Sequence, residues 1–170
     1  RRPPRSTLFP YTTLFRSIIE VDEDGPFEDI QDVAVLTFLD QLSRYVSDIP
    51  EVGKVVSVSD YMKEIHRAMN EGDPAYYKIP ESREMIAQYM LLYESEFESL
   101  MNIDYTKLRI AVQIKDIDSR RSTEMENEIN NYILSIVPKG LTVEVTGTAF
   151  LALRTRSEEH TSELQSRETI

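Results

Sequence analysis

Glu94, Glu96 and Glu98 alternate with Ser95, Phe97 and Ser99 at the head of an acidic stretch that runs to Asp104. Two carboxylates are the working groups of a glycosidase, one as acid and one as nucleophile or base. Nothing in the stretch orients these three, and no aromatic platform for a sugar accompanies them, so it reads as a solvated face or loop rather than an acid–base hydrolase. His66 is the one histidine between residues 18 and 154, and it shares a helical segment with Met62 and Met69. A lone histidine there fits a partly buried structural residue better than a ligand or general base. Asp22-x-Asp24-Gly25 hints at a calcium loop, but the further oxygen ligands and terminal glutamate of an EF-hand do not follow, which leaves an acidic turn. The sequence has no cysteine, no GxxxxGK[ST] phosphate loop and no nucleophile elbow. A zinc set of converging nitrogen or sulfur ligands cannot be assembled. No catalytic residue, cofactor site or metal site is therefore assigned. Met62, Met69, Met85 and Met90 lie among tyrosines in the central segment. Flexible methionines and amphipathic tyrosines can line an adaptable pocket for apolar ligands, with Met85 and Met90 as candidate substrate contacts. Their helical spacing also explains them as core, and that is the simpler reading.

The elements that must position these residues follow from periodicity. Ile18–Val21 is a short strand candidate ended by Asp22-Glu23-Asp24-Gly25-Pro26. From about Asp29 to Ser47, Val35, Leu39, Leu42 and Val46 recur at helical spacing, and Ile49-Pro50 stops the helix. Val52–Val58 is a second strand. Ser59 and Asp60 suit a helix start, and Tyr61, Met62, Ile65 and Met69 give the next helix its apolar face, with Lys63, Glu64 and Arg67 towards water. Gly72-Asp73-Pro74 ends it. Pro80 opens another helix, whose stripe is Met85, Ile86, Tyr89, Met90 and Tyr93, widened by Leu91 and Leu92. Leu108, Ile110, Val112 and Ile114 alternate with polar or small residues, predicting a strand with one wet face. Thr123 and Glu126 have capping-box spacing ahead of the stripe Met125, Ile129, Tyr132, Ile133 and Ile136. Pro138-Lys139-Gly140 stops that helix, and Leu141, Val143 and Val145 alternate in a last strand. Two β-α-β units with right-handed crossovers predict a ferredoxin-like α+β sandwich, helices on one face and the central helical pair inserted between the halves.

Four segments carry a family resemblance: Val58–Lys63, Ala68–Asp73, Ile79–Glu84 and Gln88–Tyr93. They resemble the first large extracytoplasmic loop of exporters of the resistance-nodulation-division (RND) superfamily, on the branch grouped with MMPL-type lipid transporters. The resemblance extends over roughly Ile18 to Leu153. Its signature positions, structural in role, are Asp60, Tyr61, Met62, Ile79, Pro80, Ser82, Arg83, Gln88, Tyr89, Leu91, Leu92 and Tyr93, with Thr146 and Gly147 marking the link to the next membrane helix. It implies a porter domain at residues 18–148 on the periplasmic side of the inner membrane. Residues 149–154 would begin a truncated transmembrane helix. The implied function is export of a lipid, hydrophobic compound or drug driven by the proton-motive force. The implied partners are the remaining membrane helices, a second porter loop and neighbouring protomers of a homo-oligomer. Acidic residues that carry protons in such transporters lie in membrane helices, outside this stretch. Family members often have a glycine-containing turn after the helical pair, whereas here no glycine stands between Gly72 and Gly140. The competing class is a free-standing ferredoxin-like ligand-binding or sensory module.

The two ends read differently. Residues 7–17 resemble the translation of a short-read sequencing adapter, and residues 156–167 that of its partner adapter. Residues 1–17 and 155–170 are accordingly expected to be artefactual or disordered tails. The 170 residues hold 19 Lys and Arg against 30 Asp and Glu, a net charge of −11. The two ends contribute six of the basic and four of the acidic residues, leaving −13 on the remainder. Such a surface argues against nucleic-acid phosphates and anionic lipid headgroups as direct partners. With 41% apolar residues the chain can build one core. The longest clean apolar run, Ala149–Leu153, is far short of the about 20 residues that span a bilayer, so the piece by itself is expected to be soluble.

Overall fold

Among the described residues ten elements follow one another, as two β-α-β units with further helices between them. The computed structural model describes residues 11–115 and 117–147. Strand β1 is Tyr11–Val21, helix α1 Val33–Ser47, β2 Val52–Val56 and α2 Val58–Met69. A 3-10 turn at Pro74–Tyr76 precedes α3, Arg83–Leu92, and the one-turn helix α4, Glu94–Phe97. Strand β3 is Lys107–Lys115, α5 is Ser119–Ile136 and β4 is Leu141–Gly147.

The sheet runs β2-β3-β1-β4 with every neighbouring pair antiparallel. Each β-α-β unit thus straddles a strand of the other, which locks the halves together. The fold is α+β, with a strand order compatible with a ferredoxin-like sandwich. In β3 the period of two is complete: Leu108, Ile110, Val112 and Ile114 are buried, while Lys107, Arg109, Gln113 and Lys115 face out. Ile19 and Val21 of β1 join the buried face, and Met125, Ile129 and Ile133 of α5 cover it with Leu36, Leu39 and Leu42 of α1. A near-parallel stack of Tyr45 on Tyr132, 3.7 Å between centroids, ties α1 to α5. Gly140 adopts φ +92°, and the Pro26 ring lies 2.3 Å from where a Cβ would sit, so this crossing of two turns admits only glycine.

Several local expectations need correction. Strand β1 starts at Tyr11 rather than Ile18, because β3 and β4 offer it partners as far back as Lys115 and Gly147. Residues 11–17, expected in the leading tail, are therefore part of the sheet, and residues 1–10, 149–154 and 155–170 lie outside the described residues. Helix α2 is rotated from its predicted face: Met62 and Ile65 are buried, but Tyr61 is half-exposed and Met69 lies largely open. Lys63, expected in water, is buried, for a reason that emerges below. The stripe of α3 stops at Tyr89 and Met90, since Leu91 and Leu92 are exposed. Helix α5 is capped by Asp118, which accepts from the Arg121 backbone N–H at 2.8 Å, and not by Thr123, whose hydroxyl donates to the Ser119 carbonyl inside the helix. The stretch after Tyr93 is no plain loop: Phe97 and Leu100 are in the core.

Candidate functional site

Two polar regions of opposite character flank the inserted helices. The first is a closed junction between α1 and α2. Asp40 lies beside the apolar stripe of α1, and Lys63 of α2 reaches it at 2.6 Å, with Asp60 at 3.1 Å and Arg44 on the other oxygen of Asp40 at 2.6 Å. Beside them Ser43 donates to Ser57 at 2.9 Å, and Ser57 meets Ser59 at 2.7 Å and donates to Asp60 at 2.8 Å. Lys63 keeps only 4% of its surface exposed. Burial alone would pull its ammonium down, but the hydrogen bonds it donates to Asp40 and Asp60 overturn this and hold it above the usual lysine range. A lysine so held stays charged and is no base or imine-forming nucleophile. The junction is a clamp, and the Ser-Asp-Tyr-Met-Lys run of α2 is written largely by it. Sequence reasoning missed it, although a charged residue hard against an apolar stripe, Asp40, signals a buried partner.

His66, one turn on, is buried against α3. Its Nδ1 lies 3.3 Å from the Tyr89 hydroxyl, and Tyr76 packs edge-on to its ring. Burial, with the nearby Lys78 charge, keeps the imidazole below its ordinary value, and burial raises the Tyr89 phenol. No nucleophile accompanies the pair among the described residues. Around it, Lys63 and Arg67 approach the Tyr77 ring at 5.3 and 5.6 Å.

The other signature residues build the same insertion. Tyr61 packs edge-on to Phe97, centroids 6.1 Å apart. Met62 and Pro80 are buried, and Ile79 and Tyr93 pack partly buried on the core. Ser82 caps α3, accepting from the Met85 N–H at 3.4 Å, and Arg83 reaches back to Asp29 at 2.7 Å and Glu28 at 3.1 Å. Gln88, Leu91 and Leu92 are exposed. Met90 is fully enclosed and Met85 partly so, which fits their core reading. Gly147 is the last residue of β4, opposite Phe15. Asp22 takes the Thr142 hydroxyl at 2.8 Å, and among the described residues no three carboxylate or histidine groups converge as a metal set.

The second region is an open groove of about 680 Å³ between α4 and the 101–105 turn. It brings Glu94 and Glu98 together with Asp104, and leaves Glu96 out. Met101, Ile103 and Tyr105 supply its apolar surface. The turn is built by Asn102, whose carboxamide oxygen accepts from the Thr106 and Lys107 N–H groups at 3.0 and 2.7 Å and whose amide donates to the Thr106 hydroxyl at 2.8 Å. Tyr105 sits at φ +55°, in the left-handed region, where a bulky residue costs roughly 1–2 kcal/mol. Its carbonyl accepts from Ile30 N–H at 2.9 Å. The turn is thus made without glycine, at some strain. The ion pairs among the described residues all lie elsewhere, so Glu94, Glu98 and Asp104 face one another without a cation.

No protein-family model matches the chain, and no curated protein matches it. Among the described residues no helix is long and apolar enough to cross a membrane.

Proposed function

We propose that this domain is an extracytoplasmic porter-type module of an RND-superfamily exporter on the MMPL-like branch, placed on the periplasmic side of the inner membrane. In this reading it forms part of the passage for a lipid, hydrophobic compound or drug. It contacts the rest of the transporter, including a second loop of the same kind, and neighbouring protomers. The proton-motive force acts through membrane helices, and no catalysis or cofactor is assigned to the domain. The observation that carries the reading is the interlocked order β2-β3-β1-β4 with the helical insertion between β2 and β3, because the residues that carry the resemblance fall in that insertion. The net charge of −11 agrees with a partner that is neither nucleic acid nor an anionic surface.

The native gene tests this. Long-read sequencing without adapters, translated beyond Ile18 and Leu153, should show apolar spans of about 20 residues on both sides and a second loop of similar pattern. Native flanks that encode no such spans would replace the exporter with a free-standing ligand-binding or sensory module.

A further inference from the structure

We propose that residues 71–78 are a strap that closes over His66 and lifts from α2 when His66 gains a proton. The strap is nearly self-contained: each of these residues is exposed, and the 3-10 turn at its centre buries no side chain. From Ala75 to Lys78 the backbone N–H groups bond only within it. Ala75 donates to the Asp73 carboxylate at 2.9 Å, and Tyr76, Tyr77 and Lys78 donate to the carbonyls of Asp73, Pro74 and Tyr76 at 3.0, 3.1 and 2.8 Å. Two rings hold it to α2. Tyr76 packs edge-on to His66, centroids 5.4 Å apart, and the Tyr77 ring lies 5.3 Å from the Lys63 ammonium and 5.6 Å from the Arg67 guanidinium. At the root of the strap Glu71 and Gly72 both take left-handed φ, +58° and +80°, and nothing stands within 4 Å of where a Gly72 Cβ would be. At its far end Lys78 pairs with Glu81, and Pro80 is buried. The segment can therefore swing about an open corner, losing ring contacts to α2 but no backbone hydrogen bond between Ala75 and Lys78.

His66 is the group that can drive the swing. A neutral imidazole carries one N–H donor, whereas the imidazolium carries two and accepts nothing. The Tyr89 hydroxyl, 3.3 Å from Nδ1, is the one hydrogen-bond partner of the ring among the described residues, and only 5% of the residue's surface is open to water. The neighbouring charges are no better suited to a cation. Lys63 and Arg67 stand on α2, the first tied to Asp60 and to Asp40 of α1, the second to Glu64. Lys78 faces the ring from the strap with Glu81 as its partner, and α3 offers the phenol of Tyr89, with Tyr93 beside it. Burial, and after it the Lys78 charge, hold the imidazole below its ordinary value against the pull of Glu81. Lifting the strap relieves both causes, because it lets water reach Nε2 and carries Lys78 away. The device does not depend on what flanks the domain, and its failure would leave the test on the native gene untouched.

The experiment is NMR relaxation on the isotope-labelled 170-residue chain at about pH 7.5 and about pH 5, either side of the ordinary histidine value of 6.5. Backbone order parameters of residues 73–78 should fall from about 0.85 to below about 0.6 as the His66 ring titrates, while those of β3 hold. In His66→Gln the strap should stay ordered at both pH values. Tyr76→Ala should free the strap already at the higher pH and move the His66 titration up towards its ordinary value, since a strap that opposes the proton must be opposed by it equally. A strap that stays ordered over a protonated His66 would overturn the proposal. So would loosening that persists in His66→Gln, loosening in step with β3, or an unmoved His66 titration in Tyr76→Ala. A His66 that stays neutral until the whole domain unfolds would overturn it as well.

Discussion

The α1–α2 junction and the α4 groove both gather carboxylates, and they treat them in opposite ways. At the junction Asp40 and Asp60 share a buried lysine, and the hydroxyls of Ser43, Ser57 and Ser59 complete the network. In the groove Glu94, Glu98 and Asp104 lack a basic partner among the described residues, and the backbone at Tyr105 is strained. Satisfied buried charge fixes one arrangement of two helices, because every alternative leaves an ion unpaired away from water. Exposed charge is met by water and fixes little in the fold. One region spends its polar groups on structure and the other keeps them free.

The junction should break hardest. Lys63→Ala leaves Asp40 and Asp60 facing each other in a closed site and should cost about 3–5 kcal/mol in urea unfolding. The double change Asp40→Leu, Lys63→Met removes both ions and should recover most of that loss. A small loss in the single variant would mean that water enters and that the clamp is loose.

Asn102→Ala is the corresponding blow to the groove. It removes three hydrogen bonds from the turn and should cost about 1–3 kcal/mol, while amide exchange accelerates at Thr106 and Lys107. Exchange confined to the turn would show that the groove opens without the core; global acceleration would show that the turn belongs to the same cooperative unit.

Ser17 tests the sheet between the two regions. It is buried on β1 opposite Ile110 and Val145, and its hydroxyl finds no partner. Ser17→Ala should stabilise the domain by about 1 kcal/mol in thermal unfolding, since an unpaired buried hydroxyl costs about that much. A polar residue at a core position of the central strand also sits oddly with the pattern around it, and residue 17 lies at the edge of the segment that reads as an adapter.

What was legible in the sequence follows from where one period decides a structure. Strand β3 alternates without a break, so its two faces could be assigned from residue types. Helix α5 and helix α1 show single apolar stripes, and their partners in the sheet follow. The rotation of α2 was not legible, because Lys63 is buried only through Asp40, which lies 23 positions away and whose contact no local pattern encodes. The groove is half legible: the run Glu94, Glu96, Glu98 stands out, but its alternation conceals that a turn of helix turns Phe97 inward and groups Glu94 with Glu98. The fourth carboxylate of interest, Asp104, joins them only because Asn102 folds the turn back.

Acidification should probe two sites outside both regions, the His66 cage and the pair of Glu51 with Arg121. In the folded chain His66 has a lower pKa than in the unfolded chain, so as pH falls past about 6.5 the unfolded state takes up the proton first and stability declines; above that value this contribution is flat. Glu51, held low by its hydrogen bonds from Arg121, contributes stability that disappears only below the usual carboxylate value of 4.5. Urea midpoints at closely spaced pH values should therefore fall in two steps, and His66→Gln should abolish the upper one alone. A single step near 4.5 in the parent chain would mean that the His66 cage admits the proton without loosening.

The smallest effect on stability is expected at the α4 groove. Glu94, Glu98 and Asp104 are exposed like-charged groups around one groove and form no ion pair among the described residues, so neutralising all three should change the unfolding free energy by no more than about 0.5 kcal/mol, and in the stabilising direction. The gain should shrink as salt is added, since screening already weakens the repulsion. A loss of stability instead would show that the carboxylates brace α4, which would bring the groove under the same rule as the junction. A small gain would show that the three charges do no work in the fold.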